Sequence, residues 1–287
     1  MENIGDALKR VEERLKKSGI EDAAIEALFM AASMCGVRPP VLLTIRDRKL
    51  KDSEKEVLTG WLERRILHEP LQYILGETEF YGYPVKVTPD VLIPRPETEE
   101  LVDEALKTLK HVKNPLVLDL CAGSGCIAIA IAKEIPRSRV IATDSSGKAI
   151  SIAEGNAVLN GVEKEITFLE GDLFAPLSSG GFESSFDLIA SNPPYVKTSD
   201  METLPPEVRL HEPRAALDGG SDGLALVRRI IAKAPAYLKP LGTLLMEIGF
   251  DEAGEVKRIV SDTSLYKSFE IKKDLEGMDR ILKAIVK

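Results

Sequence analysis

The tetrapeptide Asn192-Pro193-Pro194-Tyr195 is the part of this sequence whose residue types suggest chemistry most directly. It follows the apolar run 186–191, which predicts a buried strand. Proline restricts the residue before it to extended geometry and has no backbone N–H, so this strand end offers mainly carbonyl acceptors. We interpret it as a grip for a planar NH₂ group. The Asn192 side-chain oxygen and the Pro193 carbonyl would each accept one N–H, and the Tyr195 ring would pack on the flat face.

A second candidate feature is a loop of small residues that joins an apolar strand to an Ala/Ile-rich helix. The loop reads Cys121-Ala122-Gly123-Ser124-Gly125. Its glycines permit unusual backbone conformations and close approach, and the N-terminus of the helix offers free N–H groups to an anion. The Gly-x-Gly-x-x-Ala spacing is weak evidence by itself, because dinucleotide-binding enzymes use nearly the same pattern.

Two acidic residues end two further predicted strands. Asp144 ends the run 139–144, about 20 residues after the glycine loop, where an acid can accept both hydroxyls of a ribose. Asp172 ends the run 166–172 and could accept a hydrogen bond from an adenine amino group. We assign the next residue, Leu173, to the same pocket.

Four strand ends that carry a glycine loop, two acids and Asn-Pro-Pro-Tyr resemble the class I S-adenosylmethionine-dependent methyltransferases. The tetrapeptide resembles their amino-methylating branch. Longer segments resemble one family, the peptide-chain release factor glutamine methyltransferases (the PrmC/HemK family). These segments are 69–82, 91–102, 191–195, 212–217, 219–224, 247–249 and 277–280. The glycine loop departs from the common family sequence only by exchanging small residues for one another.

The resemblance implies a protein N5-glutamine methyltransferase with S-adenosyl-L-methionine as its cofactor. Its partners would be bacterial-type peptide chain release factors, methylated on the glutamine of their Gly-Gly-Gln loop. We predict that Asn192, Pro193 and Tyr195 are catalytic and that Asn192, Pro193, Pro194 and Tyr195 bind the substrate. The predicted cofactor-binding residues are Cys121, Ala122, Gly123, Ser124, Gly125, Asp144, Asp172, Leu173 and Asn192. We expect no metal site, because the methyl group on a positively charged sulfur is already activated.

Three other functions are weighed against this one. A DNA adenine or RNA amino-methyltransferase would present the same planar NH₂ group to the tetrapeptide, but it would need base flipping and a basic approach surface. A regulatory protein that only binds S-adenosylmethionine would not need Asn192-Pro193-Pro194-Tyr195. A dinucleotide oxidoreductase is the weakest alternative, because nothing else in the sequence supports hydride chemistry.

Composition argues against nucleic acid and membrane as partners. The 287 residues carry a net charge of −8, whereas proteins that bind nucleic acid are usually basic. No apolar run reaches the 18 or more residues of a membrane span, and the N-terminus does not resemble a signal peptide. The three cysteines, Cys35, Cys121 and Cys126, form no CxxC pair, and we interpret the latter two as small filler residues. We therefore expect a cytoplasmic protein.

The element pattern predicts two domains joined by a hairpin. Residues 1–75 read as an all-α helical bundle, for which we predict a substrate-docking role. Residues 76–95 read as a β-hairpin linker, with its turn at Gly82-Tyr83-Pro84. Residues 96–287 alternate strands and helices, which predicts an α/β methyltransferase domain with a Rossmann-like parallel sheet and an antiparallel pair of strands at the end. The polar segment 197–221 is predicted to be a lid.

Apolar spacing predicts the buried faces of the N-terminal helices. Ile4, Leu8, Val11 and Leu15 form one stripe, and Ile25, Leu28, Phe29 and Ala32 form a second. Ser53 and Glu56 are predicted to form a capping box. The helix after it is expected to bury Val57, Leu58, Trp61, Leu62 and Leu67.

Three charged residues in the second domain have less certain roles. Arg95 and Glu97 read as a helix start by composition, although the resemblance places their segment close to cofactor and substrate. Glu247 lies in a strand-like run where an unpaired carboxylate would be costly to bury, so we expect a partner near the site or at a helix end.

Overall fold

The structure is a computed structural model that describes residues 2–287. It divides the chain into two compact units. The first unit contains Met1–Gly76 together with Pro205–His211, and the second contains Glu77–Leu204 and Glu212–Lys287. The hairpin therefore belongs to the second unit, and one short segment from the middle of the chain belongs to the first.

The first unit is helical. Its helices are α1 (Ile4–Lys17), α2 (Ala23–Met34), α3 (Pro39–Leu42), α4 (Asp52–Ile66) and α5 (Leu71–Leu75), with a 3₁₀ turn at Leu43–Ile45. Asn3 begins α1 by accepting the Asp6 backbone N–H at 2.8 Å, a capping arrangement that satisfies one of the free N–H groups of the helix start. Along α1, Ile4, Val11 and Leu15 are fully buried, as their spacing predicts.

The stripe predicted for α2 is confirmed for Ala32, which is buried, and for Leu28, which packs partly buried against the core, but it is wrong for the other two residues. Ile25 is 56% exposed and Phe29 is 45% exposed. The face that is buried instead carries Ala23, Ala27 and Ala31, each four residues after the last, with Met30 beside them. Small side chains let neighbouring helices approach closely, so packing selects the alanine face although the larger apolar residues lie elsewhere.

The start of α4 also differs from the prediction. The helix begins at Asp52, and the Glu54 carboxylate accepts the Lys51 backbone N–H at 2.9 Å, whereas Ser53 and Glu56 lie inside the first turns. Leu58 and Leu62 are buried as expected. Val57 and Leu67 are exposed, at 43% and 71%, because they lie on the opposite side of the helix or just after its end.

The second unit opens with a two-stranded antiparallel hairpin. Its strands are β1 (Glu77–Phe80) and β2 (Tyr83–Lys86), so the turn is Tyr81-Gly82, one residue earlier than predicted. Both turn residues have positive φ, 53° and 76°, which matches the tight two-residue turns that join twisted strands. Tyr83 and Pro84 therefore pair within the strand.

The rest of the second unit alternates strands and helices around one seven-stranded sheet. In chain order the elements are α6 (Pro96–Leu109), β3 (Leu116–Leu120), α7 (Cys126–Glu134), β4 (Arg139–Asp144), α8 (Gly147–Asn160), β5 (Ile166–Glu170), β6 (Phe186–Ser191), α10 (Ala225–Tyr237), β7 (Leu238–Glu247), α11 (Ala253–Thr263), β8 (Tyr266–Lys273) and β9 (Asp279–Val286). Helix α9 (Pro206–His211) lies between β6 and α10 in the sequence but belongs to the first unit. The sheet order is β5-β4-β3-β6-β7-β9-β8. Strands β3 to β7 are parallel, and β9 is antiparallel to both β7 and β8. The predicted α/β class and the antiparallel final pair are confirmed.

The strand order creates a crevice at one edge of the sheet. From β3 the chain proceeds to β4 and β5 on one side and then crosses to β6 on the other, so β3 and β6 are neighbours whose connections leave in opposite directions. In open α/β sheets, ligands bind beyond the carboxyl ends of the strands at this switch point. The loops after β3, β4 and β6 all begin there.

The segment 197–221 contains short helical turns at Thr198–Thr203 and Arg214–Ala216 in addition to α9. Within the first unit, the buried Arg65 guanidinium donates hydrogen bonds to the Glu26 and Glu207 carboxylates. This ion pair ties α9 to α4. The lid role of the longer segment remains a prediction.

No single helix among residues 2–287 is long and apolar enough to cross a membrane. The bent pair Ala23–Met34 and Pro39–Ile45 passes that test only when its two members are counted together.

Candidate active site

The two glycines of the loop after β3 serve different purposes. Gly123 has φ +55°, and a Cβ built on it would have no heavy atom within 4 Å, so its open side faces the cleft. Gly125 has φ +79°, and a Cβ there would lie 3.0 Å from the Ala153 Cβ on α8. The first glycine leaves room for a ligand, and the second lets α7 and α8 pack closely.

Asp144 fastens this loop to the end of β4. One carboxylate oxygen accepts the Gly123 N–H at 2.9 Å, and the other accepts the Ser146 N–H at 2.9 Å. Ser146 in turn caps α8 by accepting the Ala149 N–H at 3.2 Å. Each carboxylate oxygen has a further lone pair, so Asp144 can still accept from two ligand hydroxyls.

Asp172 and Leu173 line the same cleft beyond β5. The Asp172 carboxylate forms an ion pair with Arg229 of α10, a partner that the sequence did not suggest. Leu173 has positive φ, 50°, and its carbonyl accepts the Thr143 hydroxyl at 3.0 Å, which holds the end of β5 against β4. An adenine amino group would have to share Asp172 with Arg229.

The predicted cofactor residues divide into two groups. Those that line the cleft are Cys121, Gly123, Asp144, Asp172, Leu173 and Asn192. Ala122, Ser124 and Gly125 do not line it. Ala122 and Ser124 are buried, and the Ser124 carbonyl accepts from the Asn156 amide of α8 at 3.0 Å.

The tetrapeptide leaves β6 directly into this cleft. The hydroxyl of Ser191, the last residue of β6, donates to the Leu120 carbonyl at 2.8 Å and joins β6 to β3. Asn192 and Pro194 line the cleft, whereas Pro193 and Tyr195 do not. The Tyr195 hydroxyl instead donates to the Glu247 carboxylate at 3.0 Å.

A glycine-rich loop, residues 217–223, holds the tetrapeptide from outside. Val196 donates to the Leu217 carbonyl at 2.9 Å and accepts the Gly219 N–H at 2.8 Å. A Cβ on Gly219 would lie 2.8 Å from the Pro194 carbonyl oxygen, and one on Gly223 would lie 2.6 Å from the Tyr195 carbonyl oxygen. These approaches are closer than any side chain permits, so both positions require glycine.

Burial perturbs the acid and the thiols under the glycine loop. It raises the pKa of Asp119 to about 8, and one of its carboxylate oxygens accepts the Ala128 N–H at 3.1 Å. It also raises the pKa of Cys126 to about 12 and that of Cys121 further. Both thiols are therefore protonated at neutral pH, and among the described residues no group of three or more His, Cys, Asp and Glu could hold a metal.

Two segments that line the cleft had no assigned contact in the sequence. They contribute Asp90, Val91, Leu92, Pro213, Ala215 and Ala216. Arg95 and Glu212 form an ion pair between these segments, and Glu212 also accepts the Ile93 N–H at 3.3 Å. The resemblance of segments 91–102 and 212–217 to the family is the sequence feature that could have indicated that they line the cleft, although neither contains an obvious reactive group.

The fold and the matches to known sequence families together define the class of protein to which this chain belongs. The family described as "Methyltransferase small domain" matches residues 100–220, and the one described as "PrmC N-terminal domain" matches residues 6–76. The hMettl16 catalytic domain in complex with the MAT2A 3'UTR hairpin 1 has a TM-score of 0.59 to this chain at 14% identity, over 85% of this chain and 84% of that one. That likeness concerns the fold alone. The chain is a methyltransferase with the class I fold, and it uses S-adenosylmethionine.

Full-length relatives narrow the class to one family. The release factor glutamine methyltransferase of Geobacter sulfurreducens is 44% identical over 268 residues, which cover 93% of this chain and 91% of that protein. The release factor glutamine methyltransferase of Fusobacterium nucleatum is 38% identical over 282 residues, covering 98% and 78%. The chain belongs to the release factor glutamine methyltransferase family.

The cleft fits this cofactor. It holds about 800 Å³ of empty space, part of which is open to solvent. Asp144 can accept the ribose hydroxyls, the open side of Gly123 leaves room for the methionine part, and Val91, Leu92 and Leu173 provide apolar surface for an adenine ring.

Proposed function

We propose that this protein transfers one methyl group to the side-chain amide of the glutamine in the Gly-Gly-Gln loop of bacterial-type release factors. The observation that carries the proposal is the position of Asn192. Its side chain lies at the wall of the cofactor cleft, directly after β6, with its amide nitrogen 3.0 Å from the Thr98 hydroxyl. The side-chain oxygen is then available to accept an N–H from a substrate.

The chemistry assigned to these residues is positioning. An amide nitrogen is a poor nucleophile because its lone pair is delocalised into the carbonyl. Bound S-adenosylmethionine supplies a methyl group that is already activated by its positively charged sulfur. Asn192 and the Pro193 carbonyl would accept the two N–H bonds of the glutamine and fix the direction of its lone pair. Positioning of this kind can contribute roughly 7–11 kcal/mol to lowering a barrier.

The close packing around Asn192 favours a substrate loop with glycines. The glycine loop 217–223 and the buried prolines leave little freedom around Asn192. Glycines beside the target glutamine would let the substrate backbone enter without side-chain clashes.

We also propose that the helical unit docks the release factor. It carries equal numbers of basic and acidic residues, 13 of each in residues 1–75, so the whole net charge of −8 lies in the remainder. Its surface exposes the apolar side chains Ile25, Phe29, Val41 and Leu43. A neutral surface with apolar side chains suits a protein partner better than a phosphate backbone. With its three free cysteines, this chain suits the reducing cytoplasm.

One assay tests the substrate. The purified chain is incubated with S-adenosylmethionine carrying a labelled methyl group and with either a release factor, its Gln→Ala variant in the Gly-Gly-Gln loop, or duplex DNA. We expect label in the release factor only, and mass spectrometry of the tryptic peptide should place one methyl on the loop glutamine. Transfer to DNA with none to the release factor would instead identify an adenine amino-methyltransferase.

A further inference from the structure

A buried chain of hydrogen bonds extends behind Asn192. The Asn192 amide nitrogen donates to the Thr98 hydroxyl at 3.0 Å, and that hydroxyl donates to one oxygen of Glu247 at 2.7 Å. The other Glu247 oxygen accepts from the Tyr195 hydroxyl at 3.0 Å. The chain thus connects the first turn of α6, the end of β7 and both ends of the tetrapeptide.

The two central residues of this hydrogen-bond chain are buried. Thr98 is 2% exposed and Glu247 is 1% exposed, so water does not compete for their hydrogen bonds. Burying a carboxylate costs several kcal/mol unless it is well hydrogen-bonded. An apolar pair at these two positions would fill the same space at lower cost, which suggests that the polar residues serve the neighbouring site.

The donors and acceptors can be assigned from chemistry. When Glu247 is ionised, its carboxylate only accepts hydrogen bonds, so both hydroxyls donate to it. Thr98 has a single hydroxyl proton, and it donates this proton in its hydrogen bond to Glu247. The remaining Thr98 lone pairs can only accept, so Asn192 must turn its NH₂ group toward Thr98 and its oxygen away from it.

We propose that Thr98 and Glu247 are positioning residues that hold Asn192 in the orientation with its side-chain oxygen toward the substrate NH₂ group. The inference rests on the proposed function and deepens it. In the opposite orientation, the NH₂ group of Asn192 would face the NH₂ group of the substrate, two donors with no acceptor between them. The same carboxylate fixes the Tyr195 ring through its hydroxyl, so one buried group orients two members of the tetrapeptide.

The test compares two substitutions at Thr98, one of nearly the same volume and one that is smaller by a methyl group. Thr98→Val removes the hydroxyl and keeps the shape, whereas Thr98→Ser keeps the hydroxyl. For each variant, kcat and KM are measured with the release factor, and the dissociation constant of S-adenosylmethionine is measured by calorimetry. We expect Thr98→Val to lower kcat at least tenfold, about 1.4 kcal/mol, with KM and cofactor affinity changed less than threefold. Thr98→Ser should retain kcat within about threefold.

A second variant keeps the test decisive if Thr98→Val does not fold. Glu247→Gln preserves shape and removes the charge that forces both hydroxyls to donate. It should also lower kcat at least tenfold with cofactor affinity intact. If both variants fold, the double variant should be no slower than the slower single variant, because the two residues act through one chain of hydrogen bonds.

Three results would overturn the inference. They are an unchanged kcat in Thr98→Val or Glu247→Gln, a Thr98→Ser variant as slow as Thr98→Val, or a loss of cofactor binding equal to the loss of kcat. Failure of the proposed function gives a different result, since the wild-type chain would then methylate DNA and not the release factor. The same kcat comparison on DNA would still test the positioning role, because an adenine amine presents the same NH₂ group.

Discussion

Asp144 accepts the Gly123 backbone N–H at 2.9 Å, so the acid at the end of β4 holds the turn after β3 in place. The two residues face the same cleft. One side chain therefore shapes a loop that borders the cleft, and its oxygens keep lone pairs that can accept from a ligand there. The other Asp144 oxygen, bonded to the Ser146 N–H, extends the same support to the start of α8.

Replacing Asp144 should weaken cofactor binding. Asp144→Ala removes two backbone hydrogen bonds and leaves the half-buried N–H groups of Gly123 and Ser146 without their acceptor; such a loss costs about 1–3 kcal/mol for a fully buried group and less for these. We expect the dissociation constant of S-adenosylmethionine in calorimetry to rise at least tenfold. Asp251→Ala is the control, because Asp251 pairs with Lys197 and does not line the cleft. Equal affinity in the two variants would contradict the role of Asp144.

Replacing Asn192 should separate transfer from binding. Asn192→Ala removes an acceptor for the substrate and leaves Gly123, Asp144 and Leu173 at the cofactor cleft unchanged. We expect cofactor affinity to stay within about tenfold, ~1.4 kcal/mol, while most of the turnover is lost. Calorimetry and the methyl-transfer assay measure the two quantities on one sample. A parallel loss of both would show that Asn192 serves mainly to bind the cofactor.

The close approach of Gly219 to Pro194 gives a prediction about the loop 217–223. Gly219→Ala would place a Cβ 2.8 Å from the Pro194 carbonyl oxygen and 2.3 Å from the Gly223 carbonyl oxygen, both of them backbone atoms. The tetrapeptide must shift, so we expect kcat to fall at least tenfold. Gly155→Ala is the matched control, because a Cβ there meets nothing within 4 Å in α8. If Gly219→Ala keeps the activity of the control, the loop does not hold the tetrapeptide.

The exposed face of α2 gives a prediction about docking. Ile25 and Phe29 are one helical turn apart and both exposed. The double substitution Ile25→Ser with Phe29→Ser should raise KM for the folded release factor several-fold, since interface residues of this kind often contribute about 1 kcal/mol or more each. Cofactor affinity should not change. The control is Val158→Ser with Leu159→Ser, two exposed residues of α8 in the other unit. An equal KM in both double variants would exclude α2 as a docking face.

The sequence predicts where the strands that carry the site residues end better than it predicts the long-range contacts that support those residues. The predicted bounds of β3, β4 and β6 agree with the structure because each is a short apolar run that ends in a polar residue or a turn. The sequence predicts that Glu247 has a partner near the site or at a helix end, but it does not identify Thr98, since the two residues are 149 positions apart and the packing of α6 against β7 brings them together. The buried face of α2 was mispredicted because the alanines that pack there have weaker apolar signals than Ile25 and Phe29. The return of Pro205–His211 to the first unit depends on the ion pair of Arg65 with Glu207, a contact that no local pattern announces.

The ionisation of Glu247 gives a prediction about pH. Burial raises the pKa of Glu247 above its usual range. The hydrogen bonds from Thr98 and Tyr195 and the charge of Arg280 oppose this rise, whereas the charge of Glu97 adds to it. These groups come from α6, the loop after β6, and β9.

The ionised form of Glu247 is the one that makes both hydroxyls donors and turns the Asn192 oxygen toward the substrate. As pH falls through the raised pKa, the carboxyl group gains a proton and can donate to Thr98, which removes the constraint on Asn192. We therefore expect kcat of the wild-type chain to fall on the acid side with a slope of one proton. Glu247→Gln, which cannot titrate, should be slower and should lack that acid limb.

The stability of the folded state should depend on pH in the opposite direction to kcat. A carboxyl group whose pKa is raised by folding binds its proton more tightly in the folded state, so the wild-type chain should lose stability relative to Glu247→Gln as pH rises from the unfolded pKa toward the folded one. Activity profiles and urea unfolding of both proteins across the same pH range measure the two effects, and an identical acid limb in the Gln variant would assign that limb to another group.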